Sequence, residues 1–107
     1  MKSDDHILVA FTTLPDADTA RAIARSSVEK GLAACTQISG SPCISHYVYN
    51  GEMFADEEYE LKFKFHPSKR RQLEELVFSM HPYDCPQWYC IRADFAAPDY
   101  ADWVSKT

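Results

Sequence analysis

An Asn50-Gly51 pair between two runs of strand-forming residues constrains this 107-residue chain more than any other feature. The tight turn that best fits the twist of two antiparallel strands needs positive φ at both central positions, and Asn followed by Gly is the pair that tolerates it. Residues 56–66 (DEEYELKFKFH) then alternate. Tyr59, Leu61, Phe63 and Phe65 face one way, and Glu58, Glu60, Lys62, Lys64 and His66 face the other, as in an antiparallel strand with one wet face. At ~3.3 Å per residue this run reaches roughly 36 Å, about twice a common strand. The partner strand, residues 43–49 (CISHYVY), brings Tyr47 and Tyr49, with Met53 and Phe54 across the turn. Such a hairpin projects past a small sheet and leaves an unpaired edge in water. Pairing with further copies of the chain relieves that, so a symmetric oligomer is expected.

The remaining elements fall around this hairpin. Residues 6–13 (HILVAFTT) form a compact apolar run bounded by Leu14-Pro15-Asp16, which predicts a strand buried on both sides. Asp16 can cap a following helix whose core face carries Ala20, Ile23, Ala24, Ser27 and Val28, and Gly31 is placed to end it. A second strand over residues 32–39 breaks at Gly40-Ser41-Pro42 before continuing into the hairpin. A second helix starts at Pro67-Ser68, buries Leu73, Leu76, Val77 and Met80, and stops before Pro82. Residues 87–95 read as the last long strand, and residues 98–104 as a short helix with Tyr100 and Trp103 as its apolar contacts. The order is strand-helix-strand twice over. It predicts an α+β, ferredoxin-like βαββαβ sandwich with a long projecting β-hairpin and a short C-terminal helix, in one domain spanning residues 1–107.

Charge and composition exclude several roles. The formal net charge is -5, and the single basic run, Lys69-Arg70-Arg71, suits the solvated side of a helix. Nucleic-acid binding would need clustered Lys and Arg to displace counterions from phosphates, so no nucleic-acid partner is expected. No apolar run reaches membrane-spanning length, and the polar, acidic start lacks the basic and apolar regions of a signal peptide. The expectation is a cytoplasmic protein without a membrane partner. Cys35, Cys43, Cys85 and Cys90 form no Cys-x-x-Cys pair and read as reduced thiols rather than a zinc site.

Signals of catalysis are weak, and an enzyme is the least supported reading for want of any nucleophile-base pair. The sequence has no glycine-rich phosphate loop, no nucleophile elbow and no zinc helix. Glu57-Glu58 and Glu74-Glu75 are neighbours whose side chains diverge, so they read as solvated surface. No enzymatic activity is expected. Among the histidines, His6 and His66 sit at element ends and His46 on a surface strand. His81 stands apart, held in the stiff turn Met80-His81-Pro82-Tyr83-Asp84-Cys85-Pro86. It can cap carbonyls at the helix end, or serve as a metal ligand or proton carrier. Met80 beside it suits the core stripe of the helix, although its sulfur would also favour Cu(I).

Several short motifs then follow one another: Thr12-Thr13-x-Pro15-Asp16, Leu32-Ala33-Ala34-Cys35, Ile44-Ser45-x-Tyr47-x-Tyr49-x-Gly51, His81-Pro82-Tyr83-x-x-Pro86 and Tyr100-x-x-Trp103. In this order the chain resembles the CutA divalent-cation-tolerance family over nearly its whole length. The resemblance implies a ferredoxin-like homotrimer, similar in shape to the PII signalling proteins, in which long hairpins wrap neighbouring subunits. It implies a cytoplasmic role in tolerance of copper and other divalent metals, with Cu(II) or another divalent cation as the bound species. The family's copper-associated cysteine position falls on Thr12, and its adjacent histidine positions on Met80 and His81. His81 is the metal ligand that survives this transfer. A family pocket between subunits maps to Thr12, Tyr49, Glu58, Lys64, His81, Tyr83 and Gln87. Tyr49 stands where tryptophan is common. Gln87 stands where glutamate is common, which removes a hard cation ligand and a candidate base. Two other roles compete with metal binding: a small-molecule-sensing PII-like module using the intersubunit pocket, in which Lys64 and Tyr83 hold an anionic or aromatic ligand, and a trimeric scaffold for partner proteins.

Overall fold

The computed structural model describes residues 6–107. Among these described residues, five strands and three α-helices follow the order β1 (Leu8–Leu14), α1 (Ala17–Glu29), β2 (Cys35–Ile38), β3 (Cys43–Tyr49), β4 (Glu52–Phe65), α2 (Arg70–Met80), β5 (Tyr89–Arg92) and α3 (Pro98–Ser105). The sheet runs β2-β4-β1-β5, with β3 paired to the far half of β4. All pairings are antiparallel. Counting β2 and β3 as one broken strand gives the ferredoxin-like α+β fold that the alternation of elements predicts.

The register of β1 on β4 builds the core. Leu8, Ala10, Thr12 and Leu14 lie opposite Phe65, Phe63, Leu61 and Tyr59, and α1 and α2 pack over this face with Ala20, Ile23, Leu73 and Val77. Each large apolar side chain so removed from water contributes roughly 1.5–3 kcal/mol. Asp16 caps α1 as expected, accepting the Thr19 N–H at 2.9 Å. Gly31, at φ +69°, lets the chain leave α1 and turn back. A polar contact joins α1 to the sheet: the buried Ser27 hydroxyl lies 2.8 Å from that of Thr36 on β2 and donates to the Ala24 carbonyl.

Several expectations need correcting. The strand after the turn begins at Glu52 rather than residue 56, because β3 pairs with it from Tyr49↔Glu52 outward to Cys43↔Glu58. The second strand is only Cys35–Ile38, because the Leu32 and Ala33 amides bond to the Ser27 carbonyl and finish the end of α1. The last strand is Tyr89–Arg92, the stretch that finds a partner on β1. A single 3₁₀ turn, Pro67–Lys69, precedes α2. Val28 faces solvent, Leu76 is half-buried, and α3 anchors through Val104 while Tyr100 and Trp103 stack on each other outside. Glu58 departs most from its place in the pattern: alternation puts it on the wet face, but it is buried.

The turn itself takes the conformation its sequence demands, with Asn50 at φ 52° and Gly51 at φ +80°. A Cβ on Gly51 would meet nothing within 4 Å, so the backbone alone requires glycine there. Gly51→Ala should therefore cost about 1 kcal/mol of stability, whereas Gly40→Ala, equally open and without positive φ, should be neutral or slightly stabilising. Urea unfolding of the two variants side by side checks this.

Candidate functional site

The end of α2, the turn after it and the base of the hairpin meet around one groove. Met80 ends α2 half-buried against the core, so its sulfur serves packing. His81 then leaves the helix in extended geometry, and its ring turns back toward β1. Nε2 lies 2.9 Å from the Thr13 carbonyl oxygen, which can only accept, so Nε2 carries the hydrogen. The Thr12 hydroxyl sits 3.1 Å from the same nitrogen. Nδ1 accepts the backbone N–H of Tyr83 at 3.3 Å. Both ring nitrogens are thus engaged inside the protomer. Burial holds the imidazole below its ordinary value of 6.5, against the opposing pull of the Thr13 carbonyl and Glu58. In this arrangement the neutral ring ties the turn to β1, and neither nitrogen offers a lone pair to a metal ion.

Tyr83 follows and packs its ring against that of His81, with centroids 5.0 Å apart. Its hydroxyl donates to Glu58 Oε2 at 2.7 Å. Burial first, and then this bond to a carboxylate, pushes the phenol above its ordinary range, so it stays protonated as a donor. Tyr47 on β3 makes the matching contact to Asp56 on β4, and that bond pushes its phenol up to about 12. One face of the Tyr47 ring stacks on Phe54, directly opposite it in register.

These groups border a groove of about 720 Å³ whose walls include Ser45, Tyr47, Tyr49, Glu58, Tyr83, Asp84 and Gln87. Tyr49, Glu58, Tyr83 and Gln87, singled out from the sequence, therefore share one wall system. Thr12 and His81 lie behind it, Thr12 fully buried and joined to the groove through the imidazole and the Tyr83 backbone. Lys64 lies elsewhere, between Val9 and Cys35 in the sheet. Six residues along β4 from Glu58 amount to roughly 20 Å at ~3.3 Å per residue. Among the described residues, no three His, Cys, Asp or Glu side chains converge as a metal site would require. All four cysteines are free.

Sequence reasoning passed over Tyr47, Asp56 and Asp84. The first two were open to discovery: counting outward from Asn50-Gly51 puts Ser45 opposite Asp56 and Tyr47 one diagonal away. Asp84 carries no comparable signal, because only the path of the turn brings it to the groove.

The depressed titration of His81 has a sign. The unfolded chain binds its proton at higher pH than the folded chain does, so stability falls as pH drops below about 6.5 toward the lower folded value. His81→Gln, whose amide can still donate to the Thr13 carbonyl, should flatten that part of the profile. Thermal midpoints between pH 7.5 and 5 for both proteins measure it.

Comparison with known proteins agrees with this architecture. Residues 8–107 match the family model described as CutA1 divalent ion tolerance protein. The divalent-cation tolerance protein CutA of Thermus thermophilus is 33% identical over 98 residues, 92% of this chain and 94% of that protein. The CutA of Thermotoga maritima is 27% identical over 101 residues, 94% of this chain and 98% of that protein. The solved structure of the Thermus thermophilus divalent cation tolerance protein superposes with a TM-score of 0.89 at 32% identity, covering 94% of this chain and 96% of that one. A match to the family model over nearly the full length, joined to this fold, places the chain in the CutA1 divalent ion tolerance family.

Proposed function

We propose that this chain serves divalent-cation tolerance as a non-catalytic, cytoplasmic homotrimer whose ligand site is the groove between the hairpin base and the turn after α2. The observation that carries the reading is the exposed apolar surface of the hairpin. Ile44, Val48 and Met53 are 63%, 66% and 77% exposed and lie on one face of the β3–β4 ladder. Tyr47, Tyr49 and Phe54 are exposed as well. An edge strand with this composition invites pairing with another chain. The hairpin also gives the protomer its 48 × 26 × 25 Å dimensions, long enough to reach across a neighbour. Three copies is the number that the family resemblance implies.

Direct binding of Cu(II) or another divalent cation is a second reading, favoured by His46, Glu58, Asp84 and Cys85 along the groove. Since no three such donors converge among the described residues, it needs donors from more than one protomer. It does not rest on His81, whose nitrogens are both engaged.

Sedimentation at micromolar concentration should give a trimer. Val48→Lys combined with Met53→Lys should give a folded monomer, and a wild-type monomer would overturn the assembly. In a Cu(II) titration, His81→Gln should bind as the wild type does, while Glu58→Gln should weaken any binding at the groove. A tenfold loss on changing His81 would return that residue to the metal site.

A further inference from the structure

The walls of the groove carry a consistent chemistry. No Lys or Arg is among them, while Glu58 and Asp84 are, and Asp56 stands at the rim through its bond to Tyr47. Three tyrosines, Tyr47, Tyr49 and Tyr83, supply the aromatic surface. Glu58 is only 6% exposed. Its Oε2 accepts from Tyr83, and Oε1 is not among the buried unpaired atoms of the described residues, so it is left toward the groove. A carboxylate edge left at the surface of a groove without Lys or Arg is matched by positive charge on a ligand. The phenols of Tyr47 and Tyr83 are held protonated by their bonds to carboxylates and by burial, so they add donors and ring faces rather than further negative charge.

Size narrows the class. A volume of about 720 Å³ falls in the range of sites for organic molecules and far exceeds what a bare ion fills. Aromatic rings joined to a carboxylate suit an ammonium group, which the ring quadrupole attracts and the carboxylate neutralises. An anionic ligand would meet only like charge from the protomer.

We propose that this groove binds a small organic ammonium cation, with Glu58 as its counter-ion and Tyr47, Tyr49 and Tyr83 around the charged head. The assignment rests on the groove being the ligand site and gives the chemical class that site takes.

Tetramethylammonium chloride and sodium acetate, titrated separately against the intact protein at fixed ionic strength, test it by calorimetry and thermal shift. Tetramethylammonium should bind saturably and raise the unfolding midpoint, while acetate should do neither. Glu58→Gln should weaken the cation by about tenfold or more, a ratio that corresponds to about 1.4 kcal/mol. Tyr49→Ala, at a half-exposed position where folding should be unaffected, should weaken it as well. Arg25→Gln, on the exposed side of α1, should leave it unchanged. Equal cation binding by wild type and Glu58→Gln overturns the proposal. Binding of acetate that Tyr49→Ala abolishes overturns the cation class and leaves the groove as ligand site. Binding of neither probe removes both, whereas the trimer is judged separately by sedimentation.

Discussion

Everything else in this molecule depends on the pairing of one long strand. β4 hydrogen-bonds to β1 and β2 through its second half and to β3 through its first. The same backbone therefore belongs to two environments. From Leu61 to Phe65 its alternate side chains are the centre of the core, with no solvent exposure. From Glu52 to Glu57 it pairs with β3, and its residues are exposed. At Glu58 the two regimes meet. There a residue with the polarity of an exposed face becomes buried beneath Tyr83, and the groove opens beside it.

That junction also explains the place of the turn after α2. The helix delivers Met80 to the core and His81 to β1, and the stiff Pro82 step then presents Tyr83 to Glu58. The hydrogen bonds run from the β1 backbone through the imidazole and the Tyr83 amide, and Tyr83 carries the connection to β4. Helix end, central strand and hairpin base are thus held together at one corner. Backbone and side chain of Tyr83 do separate jobs in this: its N–H fixes the histidine and its hydroxyl fixes the carboxylate. Family membership accounts for the fold, and the local residues account for what the corner contains. Thr12 gives it a hydrogen-bonding group, Met80 a packing group and Gln87 a neutral amide on the groove wall.

Much of the fold was legible in the sequence because local and long-range preferences agree. Asn50-Gly51 demanded its turn, Asp16 its cap, and the Leu61-Phe63-Phe65 alternation its core face. Strand ends were misjudged wherever length depends on a partner. Residues 87–95 read together as a strand, yet only the four that meet β1 form one. The candidate site was legible in part. Tyr49, Glu58, Tyr83 and Gln87 share the groove, whereas Lys64 lies on the same alternate side of β4 but six residues farther along, between Val9 and Cys35. Glu58 escaped the pattern because period-two alternation fixes a side chain's direction but not what later crosses above it. His81 was marked by its rigid turn, but nothing short of three-dimensional contact could show that both its nitrogens were taken.

The break at Gly40-Ser41-Pro42 has a consequence for motion. β2 and β3 are separate ladders on one partner strand, so the outer ladder can open without disturbing a hydrogen bond of the inner one. In a lone protomer, the β3 amides would exchange with solvent through local opening, while those of β1 and the inner half of β4 would wait for global unfolding. Assembly on the hairpin would draw the two rates together. The arm would then be a segment whose order is supplied by its neighbours, and the protection of its amides would report how many of them are present.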